Sequence, residues 1–315
     1  MRLRTSLFLL LLATAIPLAA FSALVYALLL QRQYDNFVVA VKDRNRAFMS
    51  AVDAELNGHI TALRALAALP SLDRGDLPRF YDQARAALGA QSAWVNVILL
   101  SRDGRQLVNA ALPWGTKLLD KPAQPESLRP VVEQKRPAVG QLIPRGPYLD
   151  RAGIPVRVPV LRSGEVAYVL TGVLKPESFD RLFEAQGIPS GWASGLVDAN
   201  GNFIARVPQR ARGSRAGEQF LAMVKTADEG WYRGATVEGL DTYTAFTVSR
   251  GTGWSVGFAI PADAVNGPVR QAGLLAGGGL LLVLALAMGS ALWLSRRISR
   301  PMGELGAAAH RLGVA

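Results

Sequence analysis

Trp94–Asn109 reads WVNVILLSRDGRQLVN: an apolar run of strand length, a polar turn and a short return. Valine, isoleucine and tryptophan suit a pleated surface, and Asp103-Gly104 supplies the turn that joins two antiparallel strands. The pattern predicts strands over Trp94–Leu100 and Gln106–Asn109, closed by SRDGR (101–105). An inexact second copy lies downstream. SAW (92–94), an apolar run, Asp-Gly-Arg and QLVN are echoed by SGW (190–192), an apolar run, Asn-Gly-Asn and FIAR (203–206), with the tryptophans 98 residues apart. Each copy closes on a hairpin and a strand ending near proline, VPVLRSGEVAYVLTGVLKP (158–176) and AFTVSRGTGWSVGFAIP (245–261). Two α+β modules in tandem are the expected reading.

Between these landmarks lie a Pro-rich stretch (113–130), a short helix near Leu128–Glu133, and strands over Ala138–Ile143, Pro155–Leu161 and Val166–Leu174. Upstream, Gln31–Ala68 holds a single glycine, Gly58, and no proline. Val41, Phe48, Val52, Leu56, Ile60, Leu63 and Leu66 recur at steps that trace one helical face. A continuous helix there reaches about 55 Å. PSLDRGD (70–76) ends it, and Leu77–Leu88 reads as a second, shorter helix.

Farther out lie two uncharged runs, Leu7–Leu30 and Ala272–Leu294, each long enough to cross a hydrocarbon core of roughly 30 Å. The first exceeds the apolar core of a secretory signal, so an uncut anchor is preferred over a cleaved leader. Arg2 and Arg4 precede it; Arg296, Arg297 and Arg300 follow the second, with Trp293 at the boundary. Basic flanks stay on the cytoplasmic side, so both ends point inward and everything between the spans lies outside. Gly273 and Gly277 form a G-x-x-x-G that favours close approach of two membrane helices, hence a homodimer in the lipid.

Composition narrows the function classes. The formal charge of +11 includes six basic side chains at the two ends against Glu304 alone, and no Lys/Arg run resembles a nucleic-acid arm. The chain has no cysteine, which excludes disulfides and thiolate ligands. His59 and His310 are the two histidines, and this topology puts them on opposite sides of the membrane. No G-x-S-x-G, Walker A or metal-ligand spacing occurs, so no catalytic, metal or cofactor site is expected. His59 reads as an ordinary helix-face residue.

WVNVILLSRDGRQLVN, VPVLRSGEVAYVLTGVLKPESF, GLVDANGNFIAR and GTGWSVGFAIP, in this order after a long helix, resemble the double Cache sensor domain of bacterial membrane receptors. ISRPMGELGAAAHRLG (298–313) similarly resembles the opening helix of a HAMP signal-transfer domain. The resemblance implies two tandem PAS-like antiparallel-sheet modules on a long N-terminal helix, flanked by two transmembrane helices. Its layout is a cytoplasmic N-terminus (1–6), a span (7–30), a sensor (31–270), a span (271–294) and a HAMP-like helix (295–315). Within the sensor come the long helix (31–76), a membrane-distal module (77–176) and a membrane-proximal module (177–270). A HAMP domain needs two helices, and the sequence stops within the first, so either a longer receptor or a partner would carry the output.

In this family the distal module holds a small ligand and the proximal one relays a shift inward. The parent is then expected to be a sensor histidine kinase of the bacterial inner membrane, working through a response regulator. A chemoreceptor and a cyclic-nucleotide enzyme are alternatives; a membrane-anchored external enzyme is a rival of another class. Amine-binding members carry an acid at the end of the distal module's last strand, where this chain has GVLKP (172–176) with Lys175. An anionic organic acid is therefore the expected ligand. Arg145, Tyr148, Asp150 and Arg151 sit in the loop PRGPYLDRAG, and Arg157 and Tyr168 on the strands after it. A buried guanidinium there would hold carboxylate or phosphate oxygens, with a tyrosine over the apolar part. Asn96, inside an apolar strand, needs a hydrogen-bond partner. The ordinary alternative is arginines that are solvated or locally paired, and an asparagine that satisfies the backbone.

Overall fold

A computed structural model of the chain describes residues 2–120, 124–146, 151–267, 269–275, 277–279, 281–283, 285–286, 288–290 and 293. Tyr148, Asp150, the HAMP-like stretch and His310 lie outside the described residues. Two compact units emerge: a body over Val38–Ala262, and a terminal unit of Met1–Phe37 with Asp263–Ala315. Helix α1 (Arg2–Ala67), over Ile16–Ala67, and a helix over Ala262–Ser290 are long and apolar enough to cross a membrane, by length and composition.

In the body, α1 buries Val41, Asn45, Phe48, Val52, Leu56, His59 and Leu63, steps of three and four that keep one face inward. After α2 (Pro70–Asp73), Asp76 caps α3 (Leu77–Ala90) by accepting from the Arg79 amide, and Pro78 sits in its first turn, where no N–H is missed. The first sheet comprises β1 (Trp94–Ser101), β2 (Gln106–Asn109), β3 (Ala138–Val139), β4 (Ile154–Arg162) and β5 (Glu165–Leu174), with α4 (Pro125–Glu133) inserted before β3. A 3₁₀ turn and α5 (Asp180–Ala185) lead to the second sheet. That sheet holds β6 (Ala193–Val197), β7 (Phe203–Val207), β8 (Glu229–Ala235), β9 (Asp241–Val248) and β10 (Ser255–Pro261), with α6 (Glu218–Met223) inserted before β8.

The two sheets share one topology. Their strand orders are β2-β1-β5-β4-β3 and β7-β6-β10-β9-β8, antiparallel throughout. The hairpin turns match in detail: Gly104 and Gly201 both sit at positive φ (90° and 89°), and each first strand bulges beside its turn. Each sheet packs one face on α1. Phe48 meets Phe258 edge-on at 6.0 Å in the second sheet, while a Cβ on Gly172 of the first would stand 3.1 Å from Leu63.

Two expectations change. The strand over Ala138–Ile143 is only two residues long, because Gln141 and Leu142 spend their amides on side chains, Gln124 and Asp198, instead of a ladder. His59 is not an ordinary helix-face residue. It is 8% exposed, and its Nδ1 accepts the Trp94 indole N–H at 3.1 Å.

Candidate ligand-binding site

Strand parity builds the site. In the first sheet Val97, Leu99 and Gly172 face α1, so Ile98, Leu100, Val169, Thr171 and Arg157 face away from it. Helix α4 closes over that second face: Leu128 and Val131 pack with Leu100, Val166 and Val169. Among these apolar groups lies a buried polar set that sequence periodicity alone would have filled with aliphatics.

Arg157 lies at its centre, 2% exposed, opposite Thr171 in the register and donating from Nη1 to the Ser127 hydroxyl of α4. Burial pushes its guanidinium down to about 10, partly offset by the charge of Glu126, so it remains protonated at neutral pH. The Thr171 hydroxyl is buried and has no hydrogen-bond partner among the described residues. At the sheet's other edge Asn96 Nδ2 donates to Asn109 Oδ1 at 2.9 Å, Asn109 Nδ2 donates to Gln106 Oε1 at 3.3 Å, and Asn96 Oδ1 accepts the Ala111 amide at 3.0 Å. A buried cation beside hydroxyl groups can take an anion's oxygens through charge-assisted bonds.

Helix α4 is fixed at its first turn. Gln124, in the left-handed region at φ 58°, clamps Gln141 by donating from Nε2 to its carbonyl and accepting its amide on Oε1, both at 2.9 Å. Gln141 in turn accepts the Ala199 amide on its own Oε1 at 2.9 Å, and the Leu142 amide donates to Asp198 Oδ2 at 3.0 Å. Residues 198 and 199 belong to the β6–β7 turn of the second sheet. The helix covering the polar face is thus two side chains away from the neighbouring module.

Of the expected site residues, Asn96 and Arg157 come to this face. Tyr168 does not: it lies three residues from Thr171 on β5, so the period of two turns it toward α1. Arg145 and Arg151 are exposed. Ser127, Thr171, Asn109 and Gln106 were missed. Thr171 could have been found by carrying Arg157 straight across the ladder, and Asn109, opposite Ile98, as the diagonal neighbour of Asn96; Ser127, on a helix whose register against the sheet is tertiary, could not. Among the described residues no group of three or more His, Asp or Glu is placed to hold a metal ion.

No family model matches the chain, and no curated protein sequence does. Solved structures share its fold. The extracellular domain of the histidine kinase rpHK1S-Z16 superposes with a TM-score of 0.60 at 15% identity, covering 71% of this chain and 94% of that one. The ligand-binding domain of the Pseudomonas fluorescens chemoreceptor CtaA, in complex with L-isoleucine, gives 0.55 at 14%, over 75% and 95%. The periplasmic sensory domain of the Campylobacter jejuni chemoreceptor Tlp1 gives 0.54 at 12%, over 71% and 94%.

Proposed function

We propose that this chain is the sensory and membrane portion of a two-pass bacterial receptor of the double Cache type, a sensor histidine kinase in its full form. The observation that carries the proposal is the pair of five-stranded sheets with one strand order on one helix, a fold shared with extracellular sensor domains over nearly their whole length. The runner-up, a chemoreceptor, is favoured by the CtaA and Tlp1 likenesses. Residues 7–30 and 271–294 span the membrane, 31–270 lie outside, and 1–6 with the HAMP-like 295–315 lie inside. The ligand is a small anionic organic acid, bound in the first module with Arg157 as its charge partner. It shifts the second module and the following span between two packings, by no more than its affinity difference for the two.

The test is thermal unfolding of the full chain in lipid nanodiscs against a panel of di- and tricarboxylates, keto acids and amino acids. The expected result is a saturable rise with one or more anionic acids, absent in Arg157→Met. A rise only with amino acids, or one that survives R157M, refutes the ligand assignment. A reporter inserted at residue 120 that proves cytoplasmic refutes the topology.

A further inference from the structure

The second module carries a cleft of its own, on the sheet face turned away from α1. Gly195, Gly257, Ala259, Thr244 and Tyr232 share that face by register, and α6 covers it with Phe220 and Leu221. The cleft opens to solvent, and its atom-free space, the mouth included, comes to about 480 Å³. Its floor positions on β6 and β10 are small, Gly195, Gly257 and Ala259, and the rings of Phe203 and Phe220 lie over the two glycines, 2.5 and 2.7 Å from where a Cβ would stand. The paired positions of the first sheet carry Ile98 and Thr171.

Its polar groups converge from separate elements. Tyr232 of β8 and Thr244 of β9 stand opposite each other in the register, Thr236 lies in the turn beyond β8, and Arg206 reaches in from β7. Burial raises the Tyr232 phenol, against a hydrogen bond to Thr244 that lowers it, so the phenol stays a proton donor at any physiological pH. The Arg206 guanidinium lies 5.4 Å from the Phe203 ring centroid, is 5% exposed, and is steadied by Glu238 at 2.7 Å and the Pro208 carbonyl at 3.2 Å. Glu238 itself does not line the cleft, so Arg206 is the one charged residue among those that do. A mostly apolar pocket with a few convergent polar groups and one cation is the ordinary form of a small-ligand site.

We infer that the cleft between the second sheet and α6 binds a small monocarboxylate with a compact apolar or aromatic body, its carboxylate on Arg206 and Tyr232 and its body against Phe203 and Phe220. This site is independent of any in the first module, and the chain then integrates two chemical signals.

The probe is 4-fluorobenzoate, followed by ¹⁹F line broadening with the full chain in lipid nanodiscs, empty nanodiscs correcting for partition. Saturable binding is expected below about 10 mM. The neutral 4-fluorobenzamide and the variant Arg206→Gln should each bind about tenfold or more weakly, the loss that follows a missing charge-assisted bond. Ala259→Leu, which fills the floor, should abolish binding, and Tyr232→Phe, which keeps the ring, should weaken it. Arg102→Gln, at an exposed arginine of the β1–β2 turn, should leave it unchanged. Binding that survives both A259L and R206Q, binding lost in R102Q, or no saturable binding to the wild type overturns the proposal. If A259L fails to fold by circular dichroism, Y232F and R206Q decide, and wild-type affinity in both counts against the site.

Discussion

Replacing Asp198 by asparagine should loosen the junction between the two modules at a cost that can be worked from its contacts. The side chain is 2% exposed and its two oxygens serve different masters. Oδ1 accepts the amides of Asn200 and Asn202 at 3.0 and 2.8 Å, holding its own turn; Oδ2 accepts the Leu142 amide at 3.0 Å from the first module's side. Asparagine has one oxygen. Whichever way its amide is turned, an NH₂ faces a backbone N–H, so either the turn pair or the Leu142 donor is left unmet in a buried place. Losing one bond between a buried donor and a charged acceptor costs about 1.5–3 kcal/mol. For a body of this size each kcal/mol moves the midpoint by roughly 2–4 °C, so Tm should fall by about 3–12 °C. Two measurements on the full chain check this: tryptophan-detected thermal unfolding, and hydrogen exchange of a peptide containing Leu142. Exchange there should quicken more than in β6–β7. Combining D198N with Gln141→Ala should lose less than the sum of the singles, because Gln141 and Asp198 hold the same segment to the same turn. A fall in Tm under about 1 °C, or unchanged protection at Leu142, would refute the reasoning, since neither can coexist with a buried donor stripped of its acceptor.

Other consequences can be tested alongside. His59 is lowered from its ordinary value by burial, against the raising effect of Glu55; its folded value therefore lies below its unfolded one, and the neutral ring is the folded form. Stability from this group is complete above the unfolded value of about 6.5 and is lost as pH falls below it, so Tm should drop from pH 7 to 5 and the drop should flatten in His59→Gln; equal slopes would sink the assignment. Gly172→Ala places a Cβ 3.1 Å from Leu63 and should destabilise by about 1–3 kcal/mol, with partial recovery when Leu63 becomes valine; an unchanged denaturant midpoint would show that α1 has slack. Arg157→Met should leave stability level or raised at pH 7, since an apolar side chain relieves a buried charge whose burial is only partly offset, while removing the anion response; a loss of more than about 3 kcal/mol would instead make Arg157 a structural tie.

Strand-level order was legible from the outset because it depends on local pattern: the Asp-Gly and Asn-Gly turns, the period of two, and the near-copy at 98 residues all act over short range. The α1 stripe was legible for the same reason, Val41 to Leu63 keeping a step of three or four. What failed was whatever depends on which face meets which. Tyr168 and Arg157 look alike in sequence, two polar groups on neighbouring strands, yet parity sends them to opposite sides of the sheet. His59 reads as one polar residue on a helix until Trp94, 35 positions away, aims its indole at it. The short β3 shows the same limit: residues 138–143 have strand composition, and only the tertiary claims of Gln124 and Asp198 on residues 141 and 142 withdraw them from the ladder.

That withdrawal also separates the two copies chemically. The turn of the first module places Ser101 where the second places Asp198, each amide donating to the carbonyl beyond its glycine, Arg105 or Asn202, and each carbonyl accepting the glycine amide, all at 2.9 Å. Ser101 spends its hydroxyl on its own turn, through Asp103 and Arg105, and has no oxygen left over. A carboxylate at the matching position has a second oxygen, and that oxygen is the one that reaches Leu142. The carboxylate at this position therefore makes the second hairpin a socket for the neighbouring module. Because Gln124 at the start of α4 grips the same segment, a displacement of α4 over Arg157 has a hydrogen-bonded route into the second sheet that a displacement of the first hairpin lacks. Such a route biases the second module only if the Gln124 clamp and the β6–β7 turn move together; D198N combined with Gln141→Ala, which cuts both ties to that turn while leaving α4 and Arg157 intact, should keep ligand affinity and abolish its effect on exchange in β6–β7.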